Sequence, residues 1–396
     1  MRFPWFIFII LLSPVLAFAQ NGTISGVVTS ADSKKPLARV SVFLDNSAVG
    51  SASQENGTYF LNNVRPGSYT VIAKSLGYET FQKKILVGNE AVKLDIELVV
   101  KPLQLREVVI SSAADWKKNY EWFRRDFIGV DDNARFCDVI NPHILNIEYN
   151  QTKQTLTAKG DEFLVVENKA LGYRIKFLVD SFSSDKINGI ISYGGQRVFE
   201  DMPGSEAQKA KWHQKREEVY YGSPMHFYRS LYQDKLTNEG FVVYNFARYI
   251  NSERPKEEIL QQKLKQFQIQ GRRDSFLYYR NLEMMSKYSN EHLMQPPLKE
   301  FEILSNYNQP GLYVMHFTRF LYLVYTKKHE PVPDTRDFYR PIDMSDYEAS
   351  ILTLQDDFPI FDKNGTVVAN SALYEGSWAN HRLSDMLPVD YVPDIQ

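Results

Sequence analysis

The chain has 396 residues, of which 43% are hydrophobic and 14% aromatic, enough to build a core and two or three domains. Its 46 basic and 48 acidic residues give a formal net charge of −2, which excludes a large positive surface of the kind that binds nucleic acid. The 24 tyrosines and 25 phenylalanines far outnumber the 5 tryptophans, and this bias favours β-strands.

The first 19 residues have the pattern of a signal peptide. Arg2 precedes an apolar run, and Ala17-Phe18-Ala19 precedes Gln20, which is the small-residue pattern that signal peptidases cleave. An uncleaved membrane anchor is the alternative, but the apolar run is shorter than the ~20 residues that span a bilayer. We therefore expect cleavage between Ala19 and Gln20, and an exported mature chain without a transmembrane span.

Cys137 is the single cysteine of the chain, so an intrachain disulfide is excluded although the chain is expected to be exported. Its neighbours Phe136 and Val139 are apolar, which favours a small buried hydrophobic side chain. A nucleophilic cysteine is the alternative, and the sequence around Cys137 carries no signature for it.

Residues 20–100 contain short apolar segments separated by turn signals, over 23–30, 39–45, 58–64, 68–76 and 91–100. In the fourth segment Tyr69, Val71 and Ala73 occupy alternate positions, as one face of a strand requires. Asn56-Gly57 and Pro66-Gly67 supply the backbone conformations of tight turns between strands. This spacing predicts an antiparallel β-sandwich.

The same residues carry a longer motif, Gly57-x-Tyr59-x-Leu61-x-x-Val64-x-x-Gly67-x-Tyr69-x-Val71-x-Ala73, followed by Gly77-Tyr78. It resembles the carboxypeptidase regulatory-like domain, a family with a transthyretin-like β-sandwich fold. Such domains occur beside zinc carboxypeptidases and in front of TonB-dependent outer-membrane receptors. The resemblance therefore implies an accessory module rather than a catalyst, in the periplasm or at the outer membrane. The family usually has aspartate where this chain has Asn56, and asparagine serves the same turn.

Residues 101–130 join the two regions. Leu105–Ser112 resembles the short Glu-Val-Val segment with which receptors of that type add a strand to TonB, and a last sandwich strand or a linker strand is the alternative. After this segment, four aromatic residues recur at helical spacing: Trp116, Tyr120, Phe123 and Phe127. Gly129 follows them at the position where a helix commonly ends. We expect an amphipathic helix that packs on the next domain, with a partner-binding groove as the alternative.

Residues 131–396 mix strand and helix patterns. Ser223 and Pro224 mark the start of a helix that ends before Gly240, and Asn364-Gly365 marks a hairpin turn. The other predicted elements are strands over 144–150, 154–160, 172–182, 189–195 and 241–250, a bent strand or hairpin over 312–326, a helix over 205–222, a surface helix or loop over 252–274, and a short helix over 381–386. The predicted fold class is mainly β or α+β, with an N-terminal antiparallel β-sandwich followed by a larger α+β domain.

This second region resembles the C-terminal part of an uncharacterised group of exported bacterial proteins that carry the regulatory-like domain in front. The matching segments are NKALGYRIKF (168–177), YYGSPMHFYRSL (220–231) and GSW with DMLPVDYVP (376–378 and 385–393). This resemblance implies an architecture and a compartment, and no mechanism.

The sequence lacks the common catalytic motifs. None of the 7 histidines starts a His-x-x-Glu pair, and the chain contains no His-Glu-x-x-His motif, Gly-x-Ser-x-Gly elbow, phosphate-binding loop or dinucleotide fingerprint. The sequence therefore predicts no metal ligands and no cofactor. An active site built from scattered residues stays open, because such sites depend on geometry rather than on chain order.

Two clusters of polar and aromatic residues are the candidate binding sites. The first comprises His213, Arg216, Tyr221, His226 and Arg229 on two predicted helices, where arginine beside histidine and tyrosine suits a carboxylate, a phosphate or a sugar. The second comprises Trp378, His381, Arg382 and Asp385, where tryptophan with polar groups suits a carbohydrate. The alternative is structural for both: helices packed on a sheet in the first, and a buried tryptophan in the second.

These observations favour a non-catalytic binding or structural accessory protein, whose partner is an outer-membrane or periplasmic protein, a glycan or a peptide. One alternative is an extracytoplasmic hydrolase with an unrecognised site in the second region. Such an enzyme predicts a deep pocket that gathers His226, Arg229 or His381 with a carboxylate at hydrogen-bond distance. Another alternative is a component coupled to TonB-dependent uptake.

Overall fold

The computed structural model describes residues 21–101, 113–329, 338–344 and 346–394. The predicted cleavage site at Ala19 and Gln20 and the segment Leu105–Ser112 lie outside these residues. The strands of the first region are β1 Gly22–Ser30, β2 Ser41–Leu44, β3 Gly50–Ala52, β4 Thr58–Val64, β5 Gly67–Lys74, β6 Phe81–Val87, β7 Val92–Lys93 and β8 Ile96–Leu98.

The second region contains strands and helices in alternation. Its strands are β9 Cys137–Val139, β10 Leu145–Asn150, β11 Thr155–Gly160, β12 Phe163–Asn168, β13 Tyr173–Asp185, β14 Ile190–Asp201, β15 Phe241–Ile250, β16 Tyr288–Met294, β17 Leu304–Asn306, β18 Leu312–Met315, β19 Phe320–His329, β20 Tyr347–Thr353, β21 Ile360–Asp362, β22 Val367–Ala369 and β23 Leu373–Gly376. The α-helices are α1 Ala113–Ile128, α2 Glu206–Tyr220, α3 Pro224–Tyr232, α4 Leu236–Glu239, α5 Glu257–Ile269, α6 Arg273–Glu283, α7 Glu300–Ile303 and α8 Ser377–Asn380, and short 3-10 turns cover Asn133–Phe136, Pro142–Ile144, Ile342–Met344 and Leu383–Asp385.

Residues 21–101 form the predicted β-sandwich. One sheet has the order β4-β1-β7 with β8 also on β1, and the other has the order β3-β2-β5-β6. The alternating residues Tyr59, Leu61, Tyr69 and Val71 are all buried between them. The pairs β1–β4, β2–β3, β2–β5 and β5–β6 are antiparallel, whereas β7 and β8 run parallel to β1. The chain reaches β7 from the opposite sheet, so no hairpin dictates its direction.

Gly57 shows why the turn motif requires its residues. Its φ is +78°, and a Cβ there would lie 2.6 Å from the Val28 carbonyl oxygen. Glycine adopts this left-handed conformation without steric cost. The Asn56 side chain accepts hydrogen bonds from the Thr58 amide at 3.1 Å and hydroxyl at 2.7 Å, which closes the turn between β3 and β4.

The predicted aromatic helix is α1, and it packs on a six-stranded antiparallel sheet. That sheet has the order β10-β11-β13-β12-β9, with β14 also paired to β13. Phe123 and Phe127 are completely buried and contact Phe182 edge-on. The aromatic face of α1 therefore contributes to a core, and it is not a groove for a partner. Cys137 belongs to the same core and is 1% exposed.

Helix α3 packs against two further sheets. Their orders are β16-β15-β19-β20-β23 and β17-β18-β21-β22. Phe227, Tyr228 and Leu231 on α3 have no exposed surface and share one core with residues of both sheets. Ser223 caps this helix by accepting a 3.2 Å hydrogen bond from the His226 amide, and Pro224 occupies the first turn, as the sequence predicted.

Three predicted elements differ from the structure. The helix expected over 223–240 divides into α3 and α4, because Asp234 adopts a positive φ of 56°. The segment 312–326 is neither one bent strand nor a hairpin, since β18 and β19 belong to different sheets. The short helix expected over 381–386 is a single 3-10 turn over Leu383–Asp385, and the helical turn α8 lies before it. In the last two cases the sequence pattern of the segment fits more than one element, and contacts with distant parts of the chain determine which element forms.

The sandwich and the second region are joined by main-chain hydrogen bonds. The turn after β2 meets β14, where the Asn46 amide donates to the Arg197 carbonyl at 2.7 Å and the Phe199 amide donates to the Ser47 carbonyl at 3.0 Å. On the same turn, the Val389 amide donates to the Asn46 carbonyl at 2.7 Å. The sandwich is therefore a docked domain rather than a freely moving spacer.

Candidate functional site

The first candidate cluster does not converge on a common site. Arg216 donates to the carbonyls of Leu171 at 2.7 Å and Gly172 at 3.2 Å, and it pairs with Asp201 at 2.8 Å. Its guanidinium also stacks 3.7 Å above the Tyr173 ring. The donors of Arg216 are thus committed to holding α2 on the edge of the six-stranded sheet.

Arg229 has a structural role as well. It is 8% exposed, and its guanidinium donates to the carbonyls of Asn364, Tyr391 and Val389, each at 2.9 Å. All three acceptors are main-chain groups of the last part of the chain. Arg229 therefore fixes the terminal segment to α3 and is not available to a ligand.

His226 is buried between α3 and α4. Its Nδ1 accepts a 3.2 Å hydrogen bond from the Gly222 amide, and its Nε2 lies 3.2 Å from Glu239 Oε2. These contacts define a neutral ring with the proton on Nε2. Burial lowers the pKa of His226 to about 4, against the opposing effect of Glu239. The ring also stands edge-on to Tyr221, whose pKa burial raises.

His213 lies apart from these residues. It is half-exposed on α2, and its Nε2 is 3.5 Å from Asp394 Oδ1. The structure thus brings Tyr221 and His226 together as packing partners, whereas the two arginines and His213 point to three separate places. Arg216 and Arg229 bind main-chain carbonyls, and His226 packs against Tyr221, as in the structural alternative for this cluster.

The second candidate cluster does converge. Its tryptophan is the exception, since Trp378 is 2% exposed and donates from Nε1 to the Gly222 carbonyl at 2.8 Å. It cannot offer a ring face to a sugar, so this part of the prediction is wrong. His381 and Asp385 face each other, with 3.6 Å between Nδ1 and Oδ2, and Asn133 donates to the other Asp385 oxygen at 2.7 Å.

The protonation of this pair is set by burial. Removal from water lowers the pKa of His381 to about 4, with Lys328 acting in the same direction. Burial raises the pKa of Asp385 to about 6, with the negative charge of Asp131 adding to the effect. At pH 7 the histidine is therefore neutral and the carboxylate is ionised.

His381 and Asp385 lie in the wall of a cavity of about 810 Å³, which we call the junction cavity. Its volume is typical of sites for small ligands. The wall includes Asn46 of the sandwich, Tyr193 and Arg197 of β14, Ser223, Met225 and Tyr228 around α3, Lys287 and Tyr288 at the start of β16, Glu375 of β23, and Arg382. All three sheets of the second region and one turn of the sandwich thus contribute to it.

The charges of the junction cavity are unbalanced. Among the described residues, the Arg382, Lys287 and Arg197 side chains form no ion pair, whereas Glu375 is paired with Arg248 at 2.7 Å. Asp385 is the remaining acid of the wall. The lining of the cavity therefore carries more positive than negative charge, with three cations against two carboxylates. Sequence reasoning missed Asn46, Arg197 and Lys287, because each comes from a different part of the chain and none carries a motif.

A second cavity of about 470 Å³ lies next to the junction cavity and shares lining residues with it. It is lined by residues of β5 and β6 of the sandwich, by residues of β18 and β22, and by Val389. Lys84 on β6 is one of these lining residues. Asn46, Arg197, Thr366 and Val367 line both cavities. The two cavities are therefore adjacent, and the contact between Asn46 and Arg197 forms part of the boundary that they share.

Cys137 does not contribute a nucleophile. Burial raises the pKa of its thiol to about 12, so the thiolate is absent at neutral pH. The Sγ atom lies 3.5 Å from the Asn133 carbonyl. The side chain acts as a small core residue, as its apolar neighbours predicted.

None of the helices in the described part of the chain combines the length and the apolar character that crossing a membrane demands.

Residues 24–110 match the family model of the CarboxypepD_reg-like domain. The chain therefore contains the carboxypeptidase regulatory-like domain that its turn and core motif predicted, and the mainly β, α+β fold class is confirmed as well. This match covers the sandwich and leaves the second region unassigned.

No curated protein matches the chain. Similar solved structures include a cohesin–X-dockerin complex from Acetivibrio cellulolyticus, at 20% identity over 20% of this chain and 57% of that chain. The group B streptococcus pilus 2b backbone protein is 16% identical over 20% and 41%, and a double mutant of shaft pilin SpaA from Lactobacillus rhamnosus GG is 15% identical over 21% and 48%. The chain spans less than two thirds of each, and the TM-score is 0.18 in all three comparisons.

Proposed function

We propose that this protein is an exported, non-catalytic accessory protein that binds an acidic peptide segment in the junction cavity. The observation that carries the proposal is that three cations, Arg197, Lys287 and Arg382, line the junction cavity without an ion-pair partner among the described residues. A carboxylate that enters such a cavity forms charge-assisted hydrogen bonds, which are the strong ones in proteins. The regulatory-like domain fits a binding or accessory role, and it supplies Asn46 to the wall.

A peptide suits this cavity better than a glycan. Sugar sites present open aromatic faces, whereas Trp378 and Tyr228 in this wall are 2% and 0% exposed. The ring of Tyr288 is covered by the Arg248 guanidinium at 3.9 Å. A peptide with acidic side chains needs cations and main-chain partners instead, and the wall offers the cations.

A panel of short peptides tests the ligand class. Acidic, neutral and basic peptides of equal length are compared for binding to the full mature chain at low and at physiological salt. We expect selective binding of the acidic peptides that weakens with salt, because screening reduces the attraction between charges. Equal binding of all three classes, or binding of sugars in a parallel glycan panel with none of the peptides, contradicts the proposal.

Export rests on the signal-peptide pattern of residues 1–19. Expression of the full chain in a bacterium with an outer membrane, followed by N-terminal analysis of the recovered protein, tests it. We expect a chain that begins at Gln20 and is found outside the cytoplasm, in the periplasm or with the outer membrane. A cytoplasmic chain that retains residues 1–19 contradicts it.

One observation favours a hydrolase as the second candidate. His381 and Asp385 lie together in the lining of the junction cavity, although their separation of 3.6 Å is longer than a hydrogen bond. Neutral histidine beside an ionised carboxylate is an arrangement that can accept a proton from water. Cleavage of the bound peptide by wild type but not by H381Q would establish this function and overturn the non-catalytic proposal.

A further inference from the structure

Helix α2 carries two potential metal ligands on one face. His213 and Glu217 are four positions apart, so their side chains are neighbours on the surface of the helix. Both are half-buried in the structure. A histidine and a carboxylate at this spacing can bind one cation together, provided that the rest of the fold supplies another ligand.

The terminal segment supplies that ligand. Asp394 reaches α2, where its amide donates to Glu217 Oε1 at 3.3 Å. The segment before it is held in place by Arg229, which binds the Val389 and Tyr391 carbonyls. The approach of Asp394 to α2 is therefore set by the fold of the whole second region. It joins residues 177 positions apart in the chain, which is why the sequence predicted no metal ligands.

The three side chains have the separation that a cation requires. One ligand atom each of His213, Glu217 and Asp394 lies within 4.8 Å of the others, and His213 Nε2 is 3.5 Å from Asp394 Oδ1. Zinc–ligand bonds of roughly 2.0–2.2 Å in a tetrahedral site place neighbouring ligand atoms about 3.4 Å apart. The exposed Asp394 side chain can move the short remaining distance at low cost.

We propose that His213, Glu217 and Asp394 form a site for one divalent transition-metal cation, with zinc as the best match. One imidazole and two carboxylates are a donor set that zinc accepts, and a water molecule completes the tetrahedron. The cation also neutralises two carboxylates that otherwise repel each other at short distance. When bound, it fastens the terminal segment at Asp394 to helix α2, in addition to the contacts that Arg229 makes with Val389 and Tyr391.

Calorimetric titration of the chelator-treated full mature chain with Zn²⁺ tests the site. We expect one equivalent of zinc per chain and a rise in the melting temperature on binding, because a ligand of the folded state stabilises it. In H213A the affinity falls at least tenfold and the rise in melting temperature disappears. E217Q shows the same loss, while its amide oxygen still accepts a hydrogen bond from the Asp394 main chain.

His329 offers a matched control. It pairs with Asp346 at 3.0 Å on the surface, and no third ligand joins this pair among the described residues. H329A is therefore expected to bind zinc as wild type does, with the same stoichiometry and melting-temperature rise. No stoichiometric zinc binding by wild type, unchanged binding by H213A, or loss of the equivalent in H329A overturns the proposal.

Discussion

The Arg197 guanidinium donates a 2.8 Å hydrogen bond from Nε to Oδ1 of Asn46, and this contact joins the sandwich to the six-stranded sheet. It is reinforced by the Arg197 amide, which donates to Asp45 Oδ1 at 2.9 Å. Burial raises the pKa of Asp45, and the Arg197 charge opposes that rise. Because Asn46 and Arg197 line both cavities, the docking of the regulatory-like domain and the shape of the candidate site depend on the same residues.

Truncation of this joint should destabilise the protein. We expect R197A to lower the free energy of unfolding by about 2 kcal/mol, since a hydrogen bond to a charged group contributes roughly 1.5–3 kcal/mol. Denaturant unfolding measures the loss. Arg39, which pairs with Glu55 at 3.7 Å while both side chains are more than 80% exposed, is the matched control, and R39A should unfold as wild type does. Equal stability of R197A and R39A would show that the joint contributes nothing.

Removal of the Arg229 side chain should strongly destabilise the protein. R229A leaves three main-chain carbonyls without their donor, and each buried acceptor costs roughly 1–3 kcal/mol when unsatisfied. We expect a loss of more than about 3 kcal/mol in unfolding free energy, and earlier cleavage after Pro388 in limited proteolysis under native conditions. R229K should recover only part of the loss, because a lysine lacks the planar fork of five donors. Full recovery by lysine would contradict the assigned geometry.

Two buried histidines should make the protein sensitive to mild acid. The pKa values of His226 and His381 are lowered to about 4, whereas an unfolded histidine titrates near 6.5. Between pH 6.5 and 4 the unfolded chain binds a proton that the folded chain refuses, so stability falls as pH falls, by about 1.4 kcal/mol per pH unit for each group. Asp385 acts in the opposite sense, because its folded pKa of about 6 lies above that of a free aspartate.

Variants separate these contributions. Asp385 offsets one histidine between about pH 6 and 4, so these three groups together should contribute a net slope near that of one group. H226Q should flatten the dependence in this range, and D385N should steepen it because the offset is removed. Chemical unfolding at several pH values measures all three slopes. A D385N slope that is shallower than the wild-type slope would contradict the raised pKa of Asp385.

The turn glycine should tolerate no side chain. G57A places a methyl group 2.6 Å from the Val28 carbonyl oxygen at a φ of +78°, and strain of this kind costs roughly 1–3 kcal/mol. Gly88 is the control, since nothing lies within 4 Å of the position of its Cβ. We expect a lower melting temperature for G57A and an unchanged one for G88A. A smaller loss in G57A than in G88A would contradict the turn assignment.

The sequence predicted the structural features that are set by residues close together in the chain. Asn56-Gly57 specifies its turn locally, Ser223 and Pro224 specify the start of α3, and the aromatic spacing of α1 specifies which face is buried. These features follow from backbone conformation and periodicity, which are properties of short segments. His381 and Asp385 were named as polar groups beside Trp378; both line the junction cavity, whereas the tryptophan is buried.

The features that the sequence did not predict depend on contacts between segments that are distant in the chain. The Arg229 guanidinium finds its acceptors more than 130 positions away, and Asn46 meets Arg197 after 151 positions. The sequence alone does not distinguish an arginine that binds main-chain carbonyls from an arginine that binds a ligand. For this reason the first candidate cluster was predicted as a site, whereas Lys287 and Arg197 of the junction cavity were not.

The affinity of the junction cavity for an acidic peptide, in wild type and in charge variants, tests the central claim most directly. Calorimetry with the best acidic peptide of the panel compares wild type, the double variant R382A/K287A, and K84A, whose lysine lines the other cavity. We predict a loss of roughly ten- to hundredfold in the double variant, which corresponds to one or two charge-assisted hydrogen bonds, and wild-type affinity in K84A. Wild-type affinity in R382A/K287A, or an equal loss in K84A, would contradict the assignment of the junction cavity as the binding site.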